Sequence, residues 1–249
     1  MEKRGREESV VDTGEDEPEK KYVPSSSSSS SKKHLIVVLP GGFKGKISDS
    51  MKKILEHEDI KERFDVRLPG GPNEKLSWNK RDPGSKKNIE QVNEMCKQDD
   101  EDNPVPLFVI GNSFGNRVAA EMLANESFSP IAPTKVMFAG YPLKHKEDKE
   151  DNNQSRMNSL TNLPKNANIV FVSGDADEYL NRDYLDDDNK GEACLMEAVD
   201  MLLCRDSCEV IILPNAKHDL PNATGGKKSR EQTVNKLRWI ILDKLKEHN

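Results

Sequence analysis

Long apolar runs, aromatic residues and excess positive charge are all scarce in this sequence. Among its 249 residues, 34% are hydrophobic and only 5% are aromatic. The apolar runs present, such as Leu35–Leu39, have the length of a β-strand, whereas a membrane-spanning helix needs about 20 apolar residues. Lys and Arg number 38 against 44 Asp and Glu, and the resulting net charge of -6 repels polyphosphate. We therefore predict a soluble protein with no membrane association and no direct nucleic-acid binding.

Export and metal-binding signals are also missing. The N-terminus has no apolar core for a secretory signal and is too acidic for a transit peptide, which predicts a cytoplasmic or nuclear location. The cysteines form no CxxC pair, and the wider CxxxC spacing of the last two has no histidine nearby, which favours reduced thiols over a zinc site. They are Cys96, Cys194, Cys204 and Cys208. The sequence predicts neither a metal nor a cofactor.

Residues 1–33 differ in composition from the rest of the chain. They are rich in charge, show no apolar periodicity and include a run of seven serines, Ser25–Ser31. Such a composition buries too little apolar surface to offset the entropy lost on ordering. The low mean hydropathy of the whole chain, -0.81, agrees with a segment of this kind. We predict a disordered tail over 1–33 and one domain over 34–249.

Deletion of residues 1–33 tests that division. Because a disordered tail makes no packed contacts, its removal should change the melting temperature by no more than about 1 °C. Circular dichroism melts of the full chain and the truncated chain provide the measurement. A loss of several degrees would mean that the tail docks on the domain.

Six apolar segments of strand length alternate with helical patterns or long crossovers in the predicted domain. The strand segments are 34–40, 64–69, 105–111, 135–143, 168–174 and 208–213, and the helical ones are 48–57, 85–96, 114–124, 192–203 and 230–246. This alternation predicts an α/β fold with about six strands in a mainly parallel sheet and helices on both faces.

Two polar segments interrupt this alternation, at 144–156 and 181–191. We interpret them as loop insertions that follow strands and therefore lie at the carboxyl edge of the sheet. Open α/β folds bind ligands at that edge. The alternative interpretation is that both are simply solvated acidic loops.

The pentapeptide Gly111–Gly115 has the pattern GxSxG between a predicted strand and a predicted helix. In that context a sharp turn presents the central Ser113 above the sheet as a nucleophile, and glycines are required by the close approach of neighbouring backbone. The alternative is a turn in which Ser113 merely caps the helix, since serine is a favoured N-cap.

Partners for such a nucleophile follow two later strands. A serine hydroxyl needs an imidazole to take its proton and a carboxylate to orient that imidazole. Asp177 lies in the loop after the fifth strand and His218 in the loop after the sixth, in the order Ser, Asp, His. Asp175 and Glu178 share the loop with Asp177. We choose Asp177 because it is far enough from the strand to point back toward the imidazole, and we assign Asp175 to an Asx-turn.

The remaining site predictions concern the oxyanion hole and the substrate pocket. The N–H of Phe114 is one candidate donor, and the N–H of Gly42 or Phe43, in the glycine-rich loop after the first strand, is the second. A phosphate-binding P-loop is disfavoured there because its glycine spacing is wrong and Ile47 replaces the magnesium-binding Ser or Thr. The pocket prediction contains apolar residues of strand-end loops, with ordinary core packing as the alternative for each: Phe43, Trp78, Phe114, Tyr141, Leu143 and Tyr179.

Several segments together resemble a known family. GNSFGNRVAA, FAGYPL, VFVSGDADE and AKH occur in the order found in small α/β-hydrolases of the Tex and non-specific-lethal complex subunit 3 type, which are related to dienelactone hydrolases. The resemblance begins near His34 and implies the α/β-hydrolase fold with Ser113, Asp177 and His218 as its triad. The usual HG segment of the oxyanion loop is replaced by PGG. Most members are predicted hydrolases, and one branch is a subunit of a chromatin-associated acetyltransferase complex.

Two functions follow as expectations. The first is a serine hydrolase that cleaves a small ester or thioester, with Ser113 attacking, His218 transferring the proton and Asp177 holding the imidazole. The alternative is a noncatalytic module with the same fold that binds a protein partner through the acidic loops or the tail. A peptidase is disfavoured because the chain has no room for a large cap domain.

Overall fold

Six parallel strands form one sheet in the part of the chain that the computed structural model describes. That part comprises residues 33–41, 47–68, 76–98, 104–129, 131–143, 150–180, 190–220 and 226–245, without the side chains of 150–155 and 190–194. The strands are β1 His34–Leu39, β2 Phe64–Arg67, β3 Leu107–Asn112, β4 Lys135–Ala139, β5 Ile169–Gly174 and β6 Cys208–Leu213. Their order in the sheet is β2-β1-β3-β4-β5-β6. The predicted fold class is confirmed.

Helices cover both faces of this sheet. They are α1 Asp49–Leu55, α2 Glu58–Arg63, α3 Lys86–Cys96, α4 Phe114–Ala124, α5 Glu150–Thr161, α6 Lys190–Asp200 and α7 Gly226–Lys244. Alternate residues of β1 separate the two layers: Leu35 and Val37 pack with α3 and α4, whereas Ile36 and Val38 pack with α1 and α7. A strand buried on both sides explains the continuous apolar runs of the sequence. No helix among the described residues is both long and apolar enough to span a membrane.

The interpretation of 144–156 as a loop insertion is wrong for its second half, because residues from Glu150 onward belong to α5. This helix packs against α4, with Leu160 buried and the Ser159 hydroxyl donating to the Glu121 carboxylate. Its sequence shows no apolar stripe, and tertiary contacts near its C-terminal end stabilise it instead. The sequence analysis also did not predict the six-residue helix α2.

Several predictions fall outside the described residues. They include the tail, apart from Lys33, the oxyanion candidates Gly42 and Phe43, and positions 144–149 and 181–189 of the two polar segments. The last two residues of the second polar segment, from Lys190, belong to α6.

Candidate active site

Ser113 is the single residue between the end of β3, at Asn112, and the start of α4, at Phe114. Its backbone has φ 51° and ψ -111°, in a region that residues with a side chain rarely adopt. Its side chain makes no capping hydrogen bond to α4, so simple helix capping does not account for this serine. The turn therefore holds Ser113 in a strained backbone conformation at the carboxyl edge of the sheet.

Both glycines of the motif are required by close packing. A Cβ at Gly111 would lie 2.5 Å from Asn116 Oδ1, and a Cβ at Gly115 would lie 2.2 Å from the carbonyl oxygen of Leu39. Carbon atoms do not approach oxygen this closely without displacing the backbone. The sharp turn therefore depends on the absence of a side chain on both sides of the serine.

The structure brings Ser113, His218 and Asp177 together. His218 Nε2 lies 2.8 Å from Ser113 Oγ, and His218 Nδ1 lies 3.1 Å from each carboxylate oxygen of Asp177. The Asp177 side chain is fully buried, while that of His218 remains 12% exposed. With Nδ1 protonated toward the carboxylate, Nε2 is free to accept the serine proton.

The turn after β5 explains why Asp177, and not its acidic neighbours, meets the imidazole. Asp177 Oδ1 accepts the backbone N–H of Tyr179 at 2.8 Å, an Asx-turn that fixes the carboxylate. Asp175 and Glu178 are exposed. The Asx-turn assigned from the sequence to Asp175 is thus formed by Asp177 itself, which corrects that assignment.

His218 is packed against one neighbour at its ring and against another at its backbone. The ring of Tyr179 packs against it with centroids 4.2 Å apart. Gly140, at the end of β4, has φ 63°, and a Cβ there would lie 2.3 Å from the carbonyl oxygen of His218. The Tyr179 contact restricts the orientation of the imidazole, and the close approach at Gly140 fixes the His218 backbone beside the end of β4.

Of the predicted oxyanion-hole donors, Phe114 belongs to the described residues, whereas Gly42 and Phe43 do not. Phe114 is the first residue of α4, so its N–H has no acceptor within the helix. Gly41 lies beside Ser113, since a Cβ at Gly41 would be 3.4 Å from Ser113 Cβ. Trp78 Nε1 donates to the Pro40 carbonyl at 3.2 Å and anchors the start of that loop.

The predicted pocket residues divide into two groups. Tyr179 contacts His218, and the rings of Trp78 and Phe114 pack together next to Ser113, with centroids 6.0 Å apart. Tyr141 is fully buried and its hydroxyl donates to the carbonyl of Arg156 at 3.0 Å. Burial also raises the pKa of Tyr141. Tyr141 is therefore a core residue with no surface for a substrate, a correction to the prediction. Leu143 is 8% exposed, as are Trp78 and Phe114, and all three belong to the same hydrophobic cluster as Tyr141.

Sequence reasoning missed Asn116, which ties the turn at Ser113 to β4. Its fully buried amide nitrogen donates to the carbonyls of Ala139 at 3.0 Å and Gly140 at 2.9 Å. The N–H of Ser113 also donates to Ala139, at 3.3 Å. The available signal was an asparagine directly after the GxSxG motif, in the first turn of the helix. Among the described residues, including this site, no three His, Cys, Asp or Glu side chains form a group that could hold a metal ion.

Comparison with known proteins finds one matching family model and several solved structures of similar fold. A family model described as "Alpha/beta hydrolase domain" matches residues 72–241. No curated protein matches the chain.

Several solved structures have a similar fold but share little sequence with this chain. An alpha-beta serine hydrolase homologue from Coxiella burnetii is 11% identical to this chain, with a TM-score of 0.55. The match covers 86% of this chain and 85% of the Coxiella chain. A dienelactone hydrolase from Anabaena variabilis is 13% identical with a TM-score of 0.54, covering 87% and 89%. A monoacylglycerol lipase from Paleococcus ferrophilus is 11% identical with a TM-score of 0.53, covering 84% and 94%. At these identities the likeness shows a common fold.

Proposed function

The chain belongs to the alpha/beta hydrolase family, and from that premise we propose that it is a serine hydrolase that cleaves a small ester or thioester. The observation that carries the proposal is the continuous line of contacts from Ser113 Oγ through His218 to the buried carboxylate of Asp177. The strained turn at Ser113 and the free N–H of a helix start beside it add support. A closer relationship to the Tex and non-specific-lethal type stays a prediction.

Acylation is the first half of the proposed reaction. Ser113 Oγ attacks the carbonyl carbon of the substrate while His218 Nε2 takes the hydroxyl proton, and Asp177 stabilises the resulting imidazolium. The oxyanion of the tetrahedral intermediate accepts a hydrogen bond from the Phe114 N–H and, in our proposal, another from Gly42 or Phe43. When the carbon–oxygen or carbon–sulfur bond breaks, His218 returns the proton to the leaving alcohol or thiol.

Deacylation uses the same groups. His218 removes a proton from a water molecule, whose oxygen attacks the acyl carbon bound to Ser113. The second tetrahedral intermediate collapses as His218 protonates Ser113 Oγ, which releases a carboxylic acid and restores the enzyme. No other co-reactant is needed.

Labelling with a fluorophosphonate tests the nucleophile directly. Such a probe phosphonylates an activated serine, so the wild-type chain should be labelled at Ser113 and the Ser113→Ala variant should show only background. Ser127→Ala, at the far end of the same helix region, is the matched control and should label like wild type. Absence of labelling in the wild type, together with no hydrolysis of p-nitrophenyl butyrate, would favour the noncatalytic interaction module.

A further inference from the structure

Two cysteine thiols lie in contact at the amino end of the edge strand β6. Cys204 Sγ and Cys208 Sγ are 3.5 Å apart, within hydrogen-bond distance for sulfur, and both cysteines are free. A disulfide bond needs about 2 Å between the two sulfur atoms, so a side-chain movement of about 1.5 Å is enough to form one. The fold therefore holds a reduced pair close to the arrangement of a disulfide.

The backbone around this pair is already closed into a turn. A short 3₁₀ helix, Arg205–Ser207, separates the two cysteines. The N–H of Ser207 donates to the carbonyl of Cys204 at 2.8 Å, and the N–H of Cys208 donates to the carbonyl of Arg205. Because these bonds fix the chain between the thiols, little further chain entropy is lost when the sulfur atoms join.

The two thiols differ in their access to solvent. Cys204 is 1% exposed, whereas Cys208 is partly exposed. Cys208 is also one of the residues that line a cavity of about 420 Å³, together with Met196, Val199 and Arg205. A small molecule that enters this cavity meets Cys208 first, while Cys204 is shielded.

The hydrogen bond between the thiols favours ionisation of the pair. A thiolate, and not a thiol, is the form that attacks a disulfide. The hydrogen bond from Cys208 is the largest cause that lowers the pKa of Cys204. When the shared proton moves across this bond, the negative charge lies on the more exposed Cys208. Cys96 differs, because it is fully buried and its pKa is raised by burial to about 12.

A metal ion is a poorer partner for this pair than a second sulfur bond. A structural zinc site needs four ligands. Within the described part of the chain, no third His, Cys, Asp or Glu side chain joins the two thiols in a group that could hold a metal. Oxidation of the pair needs no further ligand from the protein.

We propose that Cys204 and Cys208 form a reversible disulfide bond by exchange with a small disulfide such as oxidised glutathione, which makes the start of β6 a redox-sensitive modification site. The Cys208 thiolate attacks one sulfur of oxidised glutathione and displaces the first glutathione thiolate. Cys204 then loses its proton, attacks the Cys208 sulfur of the mixed disulfide and displaces the second. The two thiol protons go to the two glutathione thiolates. Two protein thiols are thus oxidised by two electrons, and oxidised glutathione is reduced to two glutathione molecules.

This site is separate from the proposed hydrolase centre. Cys208 is the first residue of β6, whereas His218 follows the other end of that strand, at Leu213. The exchange uses neither Ser113 nor His218, so the inference does not depend on the proposed function. Ser113→Ala should form the disulfide as readily as the wild type.

Tryptic mapping identifies the disulfide, because trypsin cleaves after Arg205 and separates the two cysteines. The products are peptides 191–205 and 206–217, which the disulfide holds together. Since peptide 191–205 also contains Cys194, the reference chain is Cys194→Ser, in which only one link between the peptides is possible. After folded Cys194→Ser reacts with oxidised glutathione and the monomer is isolated without reductant, we expect the linked peptides as the main product. Dithiothreitol should separate them.

Single substitutions test the order of the two steps. Cys204→Ser lacks the second thiol, so Cys208 should retain a stable glutathione adduct. Cys208→Ser leaves only the shielded thiol and should take up glutathione at least about tenfold more slowly than Cys204→Ser. Cys96 is the control within every chain, and it should stay unmodified while the protein is folded. Mass spectrometry of the tryptic peptides measures each of these adducts.

Absence of the linked peptides from folded Cys194→Ser would overturn the proposal. A link that is present in the wild type but lost in Cys194→Ser would also overturn it, because Cys194 would then be the partner. Reaction of Cys96 as fast as that of Cys208 would mean that oxidised glutathione modifies thiols regardless of their place in the fold, which would refute a specific site. Since Cys194→Ser keeps both cysteines of the pair, the main result does not depend on whether Cys204→Ser and Cys208→Ser fold.

Discussion

Replacing His218 by alanine should lower the turnover of p-nitrophenyl butyrate by at least about 10³-fold, because Ser113 then has no base to take its proton. His218 Nε2 is the atom within hydrogen-bond distance of Ser113 Oγ, at 2.8 Å. Fluorophosphonate labelling at Ser113 should slow to a similar degree. Steady-state kinetics and the rate of labelling, each measured on variants with unchanged circular dichroism, provide the readouts.

A histidine outside the site serves as the control for this prediction. His57 precedes β2 and caps α2 through its ring nitrogen, so His57→Ala should keep full labelling with only a small loss of stability. Asp177→Asn should also lower turnover, by about 10²-fold or more, because an amide favours the wrong imidazole tautomer. Equal labelling of wild type and His218→Ala would refute the triad mechanism even if some esterase activity were present.

Replacing Gly115 by alanine should destabilise the domain by about 3 kcal/mol or more, since a rigid backbone contact is overpacked. The new Cβ would lie 2.2 Å from the Leu39 carbonyl oxygen, and α4 would have to separate from β1. In a domain of this size such a loss lowers the melting temperature by about 6–12 °C. Thermal melts and urea titrations measure it, and labelling at Ser113 should fall as the turn is displaced.

Gly84→Ala is the matched control for Gly115→Ala, because a Cβ at Gly84 makes no close contact. A Cβ there would meet its nearest neighbour, Glu121 Oε2, at 3.4 Å, which is ordinary contact. Gly84→Ala should therefore change the free energy of unfolding by no more than about 0.5 kcal/mol. If Gly115→Ala is as stable as Gly84→Ala, the close packing of the turn at Ser113 is not as the structure describes it.

The order of elements and the position of the candidate site follow from local sequence patterns. Strands buried on both faces appear as continuous apolar runs, and the described sheet contains all six that the sequence predicts. Ser113, Asp177 and His218 each follow such a strand. Because parallel strands end at one edge, residues that are far apart in sequence are brought to the same place by the fold class alone.

Local patterns did not determine which side chains pair and which are left without a partner. The α5 helix lacks an apolar stripe, the pocket candidate Tyr141 is fully buried, and Arg117 lies next to Glu121 without pairing with it. Apolar periodicity shows which positions face the core, and this information was sufficient to predict the strands and the turn at Ser113. Burial of one ring or pairing of one charge depends on neighbours brought from other elements, since α5 supplies the contacts of both Tyr141 and Glu121. Only the tertiary structure contains that information.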